Sequence, residues 1–134
     1  MRKIHLILAL GFLILWAAGC TNQQPEISLL STLELGDVVN GEIVVREVTV
    51  SNVGDAPLAV EAVTSSCGCT TVSLDPMTIS PGGSGVLHVE FDSGAHGPEE
   101  MGEMIRQVFI ASNDPEVPEF VMEIRANILP PSVP

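Results

Sequence analysis

Apolar and polar residues alternate with a period of two along much of the chain beyond residue 26, and no segment there sustains a helical apolar stripe over three turns. The clearest case lies near the C-terminus. Phe120, Met122, Ile124, Ala126 and Ile128 share one face, and Val121, Glu123, Arg125 and Asn127 share the other. One face of such a strand packs while the other meets water. Leu87, Val89 and Phe91 repeat the pattern against Val86, His88 and Glu90, so His88 reads as a surface residue. An earlier segment is less regular, because Arg46 shares a face with Val44, Val48 and Val50; an edge position or an ion pair would accommodate it. The pattern predicts strands at 27–38, 42–52, 57–65, 69–74, 84–92, 103–112 and 119–128. Turn-forming clusters bound them: Asn52-Val53-Gly54-Asp55, Pro81-Gly82-Gly83-Ser84-Gly85 and Asn113-Asp114-Pro115. About seven short strands in about a hundred residues suit an all-β, immunoglobulin-like β-sandwich over residues 27–129. The Pro-rich segment 130–134 is expected to fray.

The first 19 residues follow a different rule. Arg2 and Lys3 precede an apolar run from Leu6 to Ala18, and Ala18-Gly19 then precedes Cys20. This is the order of a helical secretion signal: charged, apolar, then small residues at a cleavage site. The 13-residue run is shorter than the roughly 20 residues that a membrane-spanning helix needs. Leu15-Trp16-Ala17-Ala18-Gly19-Cys20 resembles the lipobox of bacterial lipoproteins, although Ala17 stands where that pattern prefers Leu. The resemblance implies cleavage before Cys20, lipidation of that cysteine, and residues 20–26 as a polar tether. Thr21 is not the Asp of the inner-membrane retention signal in enterobacteria, which favours the outer membrane, on its periplasmic side.

Charge and aromatic content narrow the partners. Without residues 1–19 the chain keeps Arg46, Arg106 and Arg125 against 17 acids, a formal charge of −14, and contains no lysine. Such a surface repels phosphate backbones and anionic headgroups, which argues against nucleic-acid binding. Phe91, Phe109 and Phe120 are its only aromatic residues, so it lacks the Trp and Tyr platforms of sugar-binding and strand-binding surfaces.

The remaining chemistry centres on Ser66-Cys67-Gly68-Cys69-Thr70. Together with Ser51-Asn52-Val53-Gly54-Asp55-Ala56-Pro57-Leu58, Pro81-Gly82-Gly83-Ser84-Gly85 and Ser112-Asn113-Asp114-Pro115, it resembles the bacterial domain of unknown function 1573 over residues 30–128. That family is similar to Hydin-type and major-sperm-protein-type immunoglobulin-like modules. The resemblance implies an exported, often lipid-anchored module and assigns no activity. The pair Cys67 and Cys69 admits three readings: an inert structural disulfide or buried thiols, a labile disulfide, or a soft-metal site for an ion such as Cu(I). In an extended strand the two Cα atoms lie near the upper limit for a disulfide, so bridging needs a bend, which Gly68 permits. A metal would need further ligands from His88, His96, Met77, Met101 or Met104, if the fold brings them near. The stretch from Asp92 to Met104 gathers acids, His96 and two methionines but lacks the order of a calcium loop or zinc motif, and reads as a solvated acidic loop.

Catalytic motifs fail individually. Val86 stands where a nucleophile elbow after Ser84 needs glycine, and a phosphate loop needs a lysine. The expectation is therefore a lipid-anchored, non-enzymatic interaction or scaffolding module of the cell envelope with a protein partner. The alternative is a thiol site at Cys67 and Cys69 for copper handling or disulfide exchange. The sequence carries no signal for oligomeric state.

Overall fold

The computed structural model describes residues 22–131, and the signal segment and Cys20 lie outside them. Nine strands form: β1 (Ile27–Ser28), β2 (Thr32–Val39), β3 (Ile43–Asn52), β4 (Leu58–Ser65), β5 (Thr70–Asp75), β6 (Thr78–Ile79), β7 (Ser84–Asp92), β8 (Gly102–Ser112) and β9 (Glu119–Leu129). They make two facing sheets, ordered β1-β3-β7-β5 and β2-β9-β8-β4-β6. Alternating positions from both sheets meet in one core, where Phe91, Leu87, Ile110, Met122 and Ile124 are almost wholly buried. The faces read from the alternation hold: Leu87, Val89 and Phe91 point inward, as do Met122, Ile124, Ala126 and Ile128.

Two strand assignments need correction. The predicted strand 27–38 is two strands in different sheets. Antiparallel β1 pairs Ile27 and Ser28 with Asn52 and Ser51 of β3, whereas β2 runs parallel to β9. The chain crosses between sheets at Leu29–Ser31, and a run of similar apolar residues on both sides of the crossing hides it. Within β2 the register shifts between Glu34 and Gly36, where Gly36 takes φ +73°. That bulge moves the buried positions from Leu35 to Val38, three residues on, and so breaks the alternation. The two-residue β6, which pairs Ile79 and Thr78 with Leu58 and Ala59, was hidden in a presumed turn.

Arg46 takes an edge position. β1 covers β3 only at Ser51 and Asn52, so the stretch from Ile43 to Val50 has β7 on one side and no strand on the other. The guanidinium escapes the core at this open margin and donates to the Val45 carbonyl at 2.9 Å.

Three turn clusters singled out in the sequence converge on one pole of the sandwich, where the chain enters. Asn52 is 1 % exposed; its Oδ1 accepts from the N–H groups of Glu26 and Gly54, and its Nδ2 donates to the carbonyls of Ala56 and Ile79. Asp114, also 1 % exposed, accepts from Ile27 N–H at 2.9 Å, Glu116 N–H at 2.8 Å and Val117 N–H at 3.0 Å. Gly54 lies so close to the backbone of Gln24–Glu26 that any Cβ there would stand 2.6 Å from Glu26 N. These contacts hold the segment before β1 against the sandwich.

Burial pushes the Asp114 carboxyl up, but backbone hydrogen bonds from Ile27, Val117 and Glu116 outweigh it and hold the group below its ordinary value of 3.8. A folded-state value below the unfolded one adds stability above pH 3.8 that is lost as pH falls through the folded value. Urea denaturation is expected to show Asp114→Ala less stable by about 2–3 kcal/mol at neutral pH, because the buried Ile27 N–H and the part-buried N–H groups of Glu116 and Val117 lose their acceptor. Asp114→Asn is expected to be destabilised too, with a shallower loss of stability on acidification than the native chain.

Candidate functional site at the distal pole

The opposite pole carries the cysteines. β7 runs from Ser84 at the entry pole to Asp92 at the distal one, a rise of roughly 30 Å for a strand of this length. β4 ends there at Ser65, and the chain must turn sharply to start β5 at Thr70 beside Phe91 of β7. The turn is closed by Thr70 N–H donating to the Cys67 carbonyl at 3.2 Å. Ser65 Oγ lies 2.9 and 2.6 Å from the carbonyl oxygens of Cys67 and Thr70, and Ser66 Oγ accepts from Gln107 N–H on β8 at 2.9 Å. The bend at Gly68 brings the Cα atoms of Cys67 and Cys69 to 5.2 Å, and the two sulfurs are bonded. That is the separation a disulfide accommodates, and the extended strand would not provide it.

The two sulfurs differ in surroundings. Cys69 is 3 % exposed and packs into the core, with Sγ 3.6 Å from Thr70 Oγ1. Cys67 is half-buried, and its Sγ receives the Cys69 N–H at 3.0 Å and lies 3.0 Å from Nε2 of His96.

His96 comes from the segment between β7 and β8, expected to be a solvated acidic loop. The loop is fastened at several points. Ser93 Oγ sits 2.9 Å from the Val39 carbonyl and 2.8 Å from that of Glu42, and Asn40 Nδ2 donates to the carbonyls of Gly97 and Glu100, each at 3.0 Å. Gly94 fits against Gly41 where a Cβ would stand 2.9 Å from the Gly41 Cα, and Arg106 pairs with Glu100 at 2.6 Å. The ring is thus carried to Cys67 by a braced segment, from 29 residues away in sequence.

The other residues named as possible partners lie elsewhere. His88 is on the outer face of β7, 3.3 Å from a Glu47 carboxylate oxygen. Met104 is a core residue of β8, and Met77 is exposed in the turn between β5 and β6. Met101 is exposed beside the start of β8. Among the described residues, Cys67, Cys69 and His96 form the one group of three histidine, cysteine or carboxylate side chains whose ligand atoms all lie within 4.8 Å of one another. In the bonded state the sulfurs offer no thiolates. Opened by reduction, two thiolates and an imidazole make a donor set suited to a soft ion such as Cu(I). Sequence reading identified the cysteines and left the third partner open, since no spacing rule links residue 96 to residue 67.

Two facing, mostly antiparallel sheets, between which the chain passes from β1 to β2, define an all-β sandwich of the PapD-like and immunoglobulin-like kind. The chain belongs to the family described as Protein of unknown function (DUF1573), whose pattern matches residues 29–128. It is similar to a protein of unknown function from Porphyromonas gingivalis W83, at 28 % identity and a TM-score of 0.72 over 78 % of this chain. The matched region is 47 % of that structure, so the chain spans about half its length. The PapD-like domain 7 of human CEP192 shares the fold at 10 % identity and a TM-score of 0.54, over 82 % of this chain and 88 % of that one. The periplasmic chaperone SfaE does so at 10 % identity and 0.53, over 81 % of this chain and 61 % of its own. No curated protein matches this sequence. The family brings no catalytic assignment.

A three-residue ring constrains the unfolded chain little, so replacing both cysteines by serine is expected to cost no more than about 2 kcal/mol of folding stability. Urea denaturation of the Cys67→Ser/Cys69→Ser protein checks this. A much larger loss would make the clasp a principal support of the fold.

Proposed function

We propose that the domain is a lipid-anchored, extracytoplasmic interaction module that takes up an extended segment of an envelope protein along the open margin of β3. The observation that carries the reading is the unpaired edge itself. Ser51 faces β1, Val53 N–H donates to Glu26, and Val45 offers its carbonyl to Arg46, all on the side away from β7. Antiparallel strands turn alternate residues toward alternate sides, so the backbone groups of Ile43, Val45, Glu47 and Thr49 face outward as well. Their side chains share the outer face, where Ile43 is 61 % and Val45 56 % exposed. Main-chain pairing along such a margin gives affinity without aromatic platforms, which this chain lacks. Arg46 limits promiscuous pairing, since a charge leaving an edge strand discourages casual strand addition. The strongly acidic surface favours a partner segment that is basic or neutral.

The anchor rests on the lipobox-like run ending at Cys20 and on the position of the entry pole, which would hold the sandwich to the bilayer by Gln24–Ile27. The non-enzymatic reading rests on the missing motifs and on a family without catalytic assignment.

A photo-crosslinking residue placed at Val45 in intact cells is expected to capture a protein that the same residue at Val121, on the outer face of the other sheet, does not. Equal capture at both positions, or none at Val45, would remove the β3 margin as the binding surface. Cys20→Ser is expected to move the protein from the membrane to the soluble fraction, and retention in the membrane would count against lipid anchoring.

A further inference from the structure

Cys67 and Cys69 share one bond but not one environment, and the difference has the form that disulfide chemistry requires. Cys67 is the sulfur an incoming group can reach. It is also the one with a backbone N–H and an imidazole nitrogen, each at 3.0 Å. Both contacts stabilise a thiolate there, the imidazole most when protonated. Cys69 is 3 % exposed, and the polar contact at its sulfur is the Thr70 hydroxyl. We propose that this pair is a thiol–disulfide exchange site, with Cys67 as the attacking and attacked sulfur, Cys69 as the resolving thiol, and His96 as the residue that stabilises the Cys67 thiolate. Its substrates are cysteine pairs of other exported proteins, or small thiols, presented at the distal pole.

Starting from the reduced pair, the Cys67 thiolate attacks one sulfur of a partner disulfide. The Cys67–partner bond forms as the partner's own bond breaks, and the released partner thiolate takes a proton from solvent. Cys69 then loses its proton to solvent and attacks Cys67 Sγ. The mixed disulfide breaks, the second partner thiolate leaves and is protonated, and the Cys67–Cys69 bond observed in the structure is restored. Two electrons pass from the pair to the partner, and the partner's two thiolates take two protons from solvent, which had received one from Cys67 on its ionisation and one from Cys69. The reverse sequence oxidises a partner dithiol through the same mixed disulfide on Cys67, and the partner's reduction potential fixes the direction.

The surrounding structure fits this use. A resting disulfide with one buried sulfur admits attack only at Cys67, so exchange proceeds through a single mixed species. The braced loop holds His96 in place, and the position roughly 30 Å from the entry pole presents the pair away from the tether. These residues are distinct from the β3 margin, so either reading can fail without the other.

The test begins with the native protein extracted in detergent, reduced, and alkylated with iodoacetamide across pH 5–10, with each cysteine followed by mass spectrometry. Cys67 is expected to react about 10-fold or more faster than Cys69 at pH 7, with an inflection below the ordinary thiol value of about 8.5. In His96→Gln that inflection is expected to move upward. With glutathione disulfide, Cys69→Ser is expected to accumulate a mixed disulfide on Cys67, and Cys67→Ser none on Cys69. Equal alkylation of the two cysteines in the native protein, an inflection unmoved in His96→Gln, or a mixed disulfide formed on Cys69 would each overturn the proposal. The first comparison needs no substitution, so a variant that failed to fold would not rescue it.

Discussion

The buried carboxylate of Asp114 and the buried amide of Asn52 fasten the segment from which the chain crosses between the two sheets. A segment that enters along a sheet margin has backbone N–H groups that face no neighbouring strand, and each would be costly if buried unpaired. Asp114 accepts from Ile27, and Asn52 accepts from Glu26 while donating to Ala56 in the turn after β3 and to Ile79 at the end of β6. No buried side-chain oxygen or nitrogen among the described residues is left without a partner. Once the first segment is fixed in this way, β2 can lie parallel to β9 and cover that margin of the five-stranded sheet, while β1 covers only the last two residues of β3. The open length of β3 is thus a consequence of where the crossing occurs.

The two poles of the sandwich differ in what their polar groups do. The entry pole is built from turn residues whose polar groups are consumed in holding backbone together, which leaves them little chemistry of their own. The distal pole holds a bonded cysteine pair, an imidazole at hydrogen-bonding distance, and a loop fixed by Ser93, Asn40 and Arg106. The family match spans residues 29–128 and takes in both poles, with the turns at Asn52 and Asp114 fastening the entry pole and the bonded pair Cys67 and Cys69 standing at the distal one. The outer face of β3, with Ile43 and Val45 exposed, belongs to neither pole, and its significance comes from its missing neighbour.

Much of the architecture was legible because period-two burial is a local property. The inward faces of β7 and β9 could be read residue by residue from Leu87 to Phe91 and from Met122 to Ile128. The reading failed where local pattern and pairing part company. Ile27 to Val38 looks like one strand because the crossing at Leu29–Ser31 keeps apolar residues on both sides, and the bulge at Gly36 then shifts the inward positions by one. β6 was invisible because two residues are too few to show any period.

Sequence by itself determined the all-β class, the inward faces of β7 and β9, and the turn clusters, because each depends on neighbours within a few positions. It also marked Cys67 and Cys69 as a pair that could bridge only through a bend, which Gly68 permits, and left open whether they do. Tertiary structure alone decided which sulfur is buried, which margin of β3 stays open, and that His96, across 29 residues, stands beside Cys67 while His88 stands elsewhere. These are consequences of long-range pairing, and the free energy that fixes them comes from sheet contacts and buried hydrogen bonds between segments far apart in the chain.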